Sequence, residues 1–130
     1  MKKMVLGFAA MAAAAMPMAA QAGDDSGMFD DPIGVYQTMI SPQDTVSSSG
    51  NRLRSVGAIL RQDRANMHRF GRSDAGDGHE NVFLSSASRA LIPGWLNNGY
   101  VDASTAAAIR SGRAYVTVYV YEGRIEVVAS

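Results

Sequence analysis

The last seventeen residues, AYVTVYVYEGRIEVVAS, alternate apolar and polar side chains on both sides of the pair Glu122-Gly123. A two-residue connection with glycine between two such runs is typical of a β-hairpin turn. With the turn at this pair, Val120 faces Ile125 and Val118 faces Val127, and together with Val116 they form one apolar face. Because an isolated hairpin is marginal in water, this apolar face has to pack against other elements of the chain.

The opposite face of the predicted hairpin carries aromatic and charged side chains. Tyr119 lies opposite Glu126, and Tyr121 lies opposite Arg124, two pairs that stabilise neighbouring strands. Tyrosine and arginine are favoured at binding hot spots. We therefore interpret one set of side chains as a candidate binding surface: Tyr115, Tyr119, Tyr121 and Arg124. The alternative is that a second layer of the protein covers these rings.

Residues 51–71 have the pattern of one long amphipathic helix. Serine and asparagine at positions 48–51 are candidate caps for its start, and Gly71 has the position of a C-terminal glycine. Gly57 costs about 1 kcal/mol relative to alanine inside a helix, so we expect it to mark close packing. The apolar side chains on one side of the helix are Leu53, Val56, Leu60, Met67 and Phe70.

The charged residues of this helix fall into two groups. Arg54, Arg61 and Arg69 lie around the side opposite the apolar stripe, with Arg64 at its edge. We interpret them as a solvated face, with a basic patch for an anionic partner as the alternative. Asp63 falls within the stripe, so it needs a partner such as a nearby arginine, or it marks where the stripe leaves the core.

Two shorter helices are predicted between the long helix and the hairpin. Ser85 or Ser86 caps the first, which Pro93-Gly94 should end. Asp102 caps the second, an alanine-rich segment that closes at Gly112.

These elements predict a small single domain of the α+β class, covering residues 33–130. One long amphipathic helix and two short helices pack on the C-terminal antiparallel hairpin. Residues 33–40 or 81–84 are the candidates for a third strand.

The N-terminus has the organisation of a secretory signal peptide. Residues 1–22 contain Lys2 and Lys3, a short apolar run and the sequence Ala20-Gln21-Ala22. We expect cleavage after Ala22, a bacterial source, and a periplasmic or extracellular chain with no stable membrane span after cleavage. The acidic residues 23–32 that follow are expected to be flexible.

The composition of residues 23–130 argues against several classes of protein. Ten arginines against twelve acidic residues give a net charge of −2, which does not favour nucleic-acid binding. The segment has no cysteine, no lysine and no G-x-S-x-G elbow, so an activated nucleophile is not indicated. It has no glycine-rich phosphate loop, and we expect no cofactor.

The loop RSDAGDGHENVF, residues 72–83, is the strongest candidate for metal chemistry. Asp77, His79 and Glu80 fall together, but their spacing does not match an EF-hand, and zinc prefers more histidine or cysteine ligands. One hypothesis is a small metal-dependent or hydrolytic enzyme centred on His79 and Glu80, with His68 as a further member. The plainer interpretation is a flexible connector.

The sequence therefore favours a binding protein over an enzyme. We expect an exported accessory protein that recognises another protein or an envelope component through the tyrosine and arginine side chains of the hairpin. A third alternative is a structural subunit of an envelope assembly. No motif is specific enough to name a family, and no pattern indicates an oligomeric state.

Overall fold

The computed structural model of the chain describes residues 31–72, 78 and 80–130. The predicted signal peptide and nearly all of the predicted acidic segment lie outside these residues. Pro32–Ser130 forms one compact unit. Its elements in chain order are β1 (Gly34–Ile40), a 3₁₀ turn (Pro42–Thr45), α1 (Val56–His68), α2 (Ser86–Arg89), α3 (Ile92–Asn97), β2 (Tyr100–Val101), α4 (Ala103–Ser111), β3 (Ala114–Tyr121) and β4 (Arg124–Ala129).

The strands form one four-stranded sheet in the order β1-β3-β4-β2. The predicted hairpin is β3 and β4, and Gly123 in its turn has a φ of 82°, a conformation that glycine adopts without strain. Residues 33–40 provide the third strand, because β1 pairs antiparallel with β3. The short β2 runs parallel to β4 and was not predicted. The α+β prediction is confirmed.

The register of the hairpin also agrees with the sequence pattern. Val120 pairs with Ile125, and Val118 pairs with Val127. All four side chains are buried, because alternation along a strand sends every second residue to the same face. We call this side of the sheet the covered face.

The core lies between the covered face and the helices. Ile59 of α1, Ile92 of α3 and Ile109 of α4 are fully buried in one cluster with the strand valines. Burial of each such side chain stabilises the fold by about 1.5–3 kcal/mol. Among the residues that the structure describes, no helix is both long and apolar enough to cross a membrane.

The long helix starts later than the sequence pattern predicts. Its first residue is Val56, and the Ser55 side chain accepts a hydrogen bond from the Ala58 N–H at 3.2 Å. The prediction of a cap at positions 48–51 is therefore wrong. Arg52 instead forms an isolated antiparallel bridge with Val46, which keeps this stretch extended. Beyond the helix, Gly71 has a φ of 64° where the chain turns away.

The region after the long helix differs from the prediction in two places. Ser85 caps α2 as predicted, but Pro93-Gly94 does not end a helix. Pro93 lies at the start of α3, where its missing N–H removes no helical hydrogen bond. Residues 81–84 form a turn rather than a third strand. Asp102 caps α4 as predicted, by accepting the Thr105 N–H at 2.7 Å.

Two glycines allow elements to approach closely. A Cβ on Gly57 would lie 2.9 Å from the Cα of Pro93, so this glycine brings α1 against α3, as its position in the helix indicated. A Cβ on Gly99 would lie 1.7 Å from the carbonyl oxygen of Ile125. Only glycine therefore allows β2 to lie beside β4 in this arrangement.

Candidate functional site

The side of the sheet that faces away from the core carries the predicted binding residues. Alternation along the strands places eleven side chains on it, and none of them is buried. We call this surface the open face. It consists of Val35, Gln37, Met39, Tyr100, Tyr115, Thr117, Tyr119, Tyr121, Arg124, Glu126 and Val128.

Exposed apolar area is concentrated on the open face. The described residues include seven large hydrophobic side chains with high exposure, and four of them belong to this face. Tyr100 is 59% exposed and Tyr115 is 37% exposed. Ile33, immediately before β1, is another exposed hydrophobic side chain next to this face. Exposed apolar side chains that gather on one surface are typical of an interaction site.

A chain of hydrogen bonds connects polar side chains of β1 and β3 on the open face and continues to Ser130 at the C-terminus. The Tyr115 hydroxyl donates to Gln37 Oε1 at 3.4 Å, and Gln37 Nε2 donates to Thr117 Oγ1 at 3.5 Å. The Thr117 and Ser130 hydroxyl oxygens are 2.7 Å apart. These contacts hold the side chains in place before a partner binds, which reduces the entropy lost on binding.

At one end of the open face, Arg124 contacts both Tyr121 and Glu126. The Arg124 guanidinium lies 3.9 Å from the centre of the Tyr121 ring, and its Nε donates to Glu126 Oε2 at 3.2 Å. Burial, together with the negative charge of Glu126, raises the pKa of Tyr121 above its ordinary value, so the phenol stays neutral at physiological pH. Because Glu126 offsets the charge of Arg124, the face suits a neutral or mixed partner rather than a strongly anionic one.

The structure brings all four predicted binding residues to the same surface and adds others to it. Val35 joins from β1, where it pairs with Tyr119. Tyr100 joins from β2, where it pairs with Glu126. The alternation of residues 33–40 contained the signal for Val35. A two-residue strand has no periodicity, so the sequence contained no signal for Tyr100.

A cluster of charged and polar side chains lies inside the protein, around Arg64. Its Nε donates to Asp63 Oδ2 at 2.8 Å, and its Nη2 donates to Thr38 Oγ1 at 3.1 Å. Its Nη1 donates to the Gly78 carbonyl at 2.9 Å and to Glu80 Oε2 at 3.0 Å. The partner expected for Asp63 is therefore confirmed. Arg64 was predicted at the edge of the apolar stripe and grouped with the arginines of a solvated face, and this grouping is wrong for Arg64 because its side chain is fully buried.

The charges in this cluster stabilise one another. Burial alone would lower the pKa of Arg64, but the adjacent Asp63 carboxylate and the other partners raise it above its ordinary value. Burial alone would raise the pKa of Glu80, but hydrogen bonds from His68, the Phe83 N–H and Arg64 lower it. Both groups therefore remain charged within the protein.

Of the three proposed metal ligands, the structure describes Glu80, and it also describes His68, the further member of the enzyme hypothesis. Glu80 is buried. Its carboxylate oxygens accept hydrogen bonds from Arg64 and, at 2.7 Å, from the Phe83 N–H, and one of them lies 2.5 Å from His68 Nε2. Asp77 and His79 lie outside the described residues. Within 31–72, 78 and 80–130, no group of three or more acidic, histidine or cysteine side chains is arranged to hold a metal ion. The described partners of Glu80 give it a structural role in joining residues 80–83 to α1.

Comparisons with known proteins found no matching family model, no similar curated protein and no similar solved structure.

Proposed function

We propose that this chain is an exported accessory or binding protein that recognises another protein or an envelope component through the open face of its sheet. One observation carries the proposal. Four tyrosines and an arginine stand on one unburied sheet surface, where they are not needed to fill the core: Tyr100, Tyr115, Tyr119, Tyr121 and Arg124. Such side chains supply large, rigid contact area at low entropic cost.

The size of the open face indicates the kind of contact it makes. The three long strands contain six to eight residues each. At about 4.8 Å between strands and about 3.3 Å per residue, they span roughly 300 Å² in projection. Three strands side by side are wide enough to hold one extended segment of a protein or a narrow polymer, which is the kind of contact that we propose.

The test is a binding experiment with paired substitutions on the open face. The purified chain is immobilised and exposed to envelope extract, and retained components are identified and titrated. Tyr119→Ala combined with Tyr121→Ala should weaken binding by about thirtyfold or more, the effect of losing a hot spot. Tyr119→Phe combined with Tyr121→Phe separates the rings from the hydroxyls, and it should retain most of the affinity if stacking dominates.

The control removes two exposed side chains from elsewhere on the protein. Arg54→Ala combined with Arg113→Ala should leave the affinity unchanged, since neither residue belongs to the open face. Thermal unfolding of every variant separates lost binding from lost folding. If no component is retained, and if the alanine pair alters nothing except stability, the open face is not a recognition surface.

A further inference from the structure

Polar groups at the centre of the open face restrict what can bind there. Gln37 pairs with Thr117 in the register of β1 and β3, and this row lies between the rows of Tyr115 and Tyr119. The Gln37 side chain accepts from the Tyr115 hydroxyl at 3.4 Å and donates to Thr117 Oγ1 at 3.5 Å. These two bonds use one amide hydrogen and one oxygen lone pair, which leaves a second of each for a ligand. A partner on this face therefore meets neutral donors and acceptors between two aromatic rings.

The main chain of the open face is committed to the sheet. β3 is bonded to β1 on one side and to β4 on the other, so its N–H and C=O groups are used by these neighbours. A peptide that binds by strand addition needs the edge of a sheet, where main-chain groups supply the affinity. On the open face a partner is recognised by side chains alone, which does not favour an extended peptide.

A helix matches the open face poorly as well. Amphipathic helices bind through a continuous apolar stripe. Such a stripe would cover Gln37 and Thr117, and their remaining hydrogen-bonding groups would be buried without partners. The face does not require a charged ligand either, because Arg124 Nε donates to Glu126 Oε2 at 3.2 Å. These features favour a neutral ligand that has donors and acceptors along its length.

We infer that the open face binds a neutral, extended polysaccharide chain lying along β3, an inference that rests on the proposed function and narrows it to one class of ligand. A sugar ring has C–H groups on its flat sides and hydroxyl groups around its rim. The negative face of a tyrosine ring attracts the C–H groups, and the hydroxyls both donate and accept. Tyr115 and Tyr119 are the stacking positions. Gln37 and Thr117, in the row between them, bind the hydroxyls.

The length of β3 sets the size of the ligand. Tyr115 and Tyr119 are separated by about 13 Å along the strand at about 3.3 Å per residue. From Tyr115 to Tyr121 the strand extends about 20 Å on the same basis. A chain of several sugar units is therefore needed to contact both stacking positions and the polar row between them.

The test is binding of neutral oligosaccharides to the purified chain, measured by titration calorimetry. The probes are β-linked oligomers of glucose and of N-acetylglucosamine, from disaccharide to hexasaccharide. At least one hexasaccharide should bind, and more tightly than its disaccharide, because only the longer chain reaches both rings. Tyr115→Ala should weaken hexasaccharide binding by about tenfold, the effect of losing one stacking ring.

A second variant separates a polysaccharide from an apolar partner. Gln37→Leu combined with Thr117→Val makes the centre of the open face apolar while nearly preserving its shape. Oligosaccharide binding should weaken by about tenfold or more, since hydrogen bonds at two positions are lost. An apolar helix or peptide would bind this variant as well as the wild type or better. The control, Gln43→Leu combined with Ser104→Ala, removes exposed polar groups elsewhere and should leave the affinity unchanged.

The outcomes distinguish this inference from the proposed function. If no hexasaccharide binds, or if binding survives both open-face variants when thermal unfolding shows them folded, the polysaccharide assignment is overturned. A protein retained from envelope extract and lost in the alanine pair at Tyr119 and Tyr121 would then leave the proposed function standing without this inference. A component that is still retained after protease digestion of the extract, and is lost in Tyr115→Ala, would support the polysaccharide. Failure of both experiments would overturn both proposals.

Discussion

The two faces of the sheet differ sharply although a single strand contributes to both. On β3, Val116, Val118 and Val120 are completely buried, whereas Tyr115 is exposed and Tyr119 is half-buried. The valines are fixed by packing against the helices, and a change in any of them affects the whole core. The tyrosines are under no such constraint. Their accumulation on the open face is the observation on which the proposed recognition role rests.

The covered face is itself divided into two parts. Its centre is apolar, but at β1 the buried Thr38 donates to Asp63 Oδ1 at 2.8 Å and accepts from Arg64. This polar corner is as closed to water as the valines are. Stability on the covered face thus depends both on apolar packing and on a complete set of ionic partners, while the open face needs neither.

The largest loss of stability should follow removal of the charge at the polar corner. Arg64→Ala leaves the Asp63 and Glu80 carboxylates buried without their main partner, so we expect the free energy of unfolding to fall by about 3–5 kcal/mol. Urea unfolding at neutral pH measures this value.

A variant of similar volume separates charge from packing at the same position. Arg64→Met keeps most of the side-chain volume but not the charge, and we expect it to be destabilised nearly as much as Arg64→Ala. Recovery of most of the stability in Arg64→Met would show that the corner depends on volume, and the division of the covered face would then be wrong.

The next effect tests the apolar centre of the covered face. Val118→Thr preserves shape but places a hydroxyl where Val118 is fully buried among apolar side chains. We expect a loss of about 1–3 kcal/mol, which is the cost of an unsatisfied buried hydroxyl. Denaturant unfolding checks this, and a neutral result would mean that the centre contains a polar partner for the new group.

The sequence predicted the hairpin well because two independent signals agreed there. The alternation fixed which residues share a face, and Glu122-Gly123 fixed the turn. The same signals placed the tyrosines and Arg124 on one surface. The alternation could not predict whether another layer covers that surface, because this depends on how the connections place the helices.

The burial of Arg64 could not be predicted from the helical pattern. That pattern places it at the edge of the apolar stripe, and its closure depends on Thr38 and Glu80, which are distant in sequence. The start of α1 was missed for a different, local reason. Residues 46–52 form a short turn, closed by the Val46–Arg52 bridge and by the Ser47 N–H donating to the Asn51 carbonyl at 2.8 Å, and this turn competes with the helix.

A smaller effect, visible only in acid, should come from Glu80. Its pKa is lowered in the folded protein, so its contribution to stability is present at higher pH and is lost as the pH falls below the ordinary carboxyl value of 4.5. Protonation leaves Arg64 with Asp63, so the loss is smaller than in Arg64→Ala. Unfolding free energies measured from neutral to acidic pH should decline less steeply in Glu80→Gln than in the wild type. Glu122→Gln, in the exposed turn, is the control, and equal slopes in all three proteins would contradict the assignment.

The smallest loss of stability is expected at Tyr119, which follows Val118 and points to the other face of β3. Tyr119→Thr introduces the same side chain as Val118→Thr, but at a position where water can reach the new hydroxyl. Threonine is well suited to strands, so we expect a change of about 0.5 kcal/mol in the free energy of unfolding. The matched pair is measured in one unfolding series. If Tyr119→Thr proves as destabilising as Val118→Thr, the tyrosine ring contributes to packing of the fold, and the proposal that the open face is a recognition surface would be contradicted.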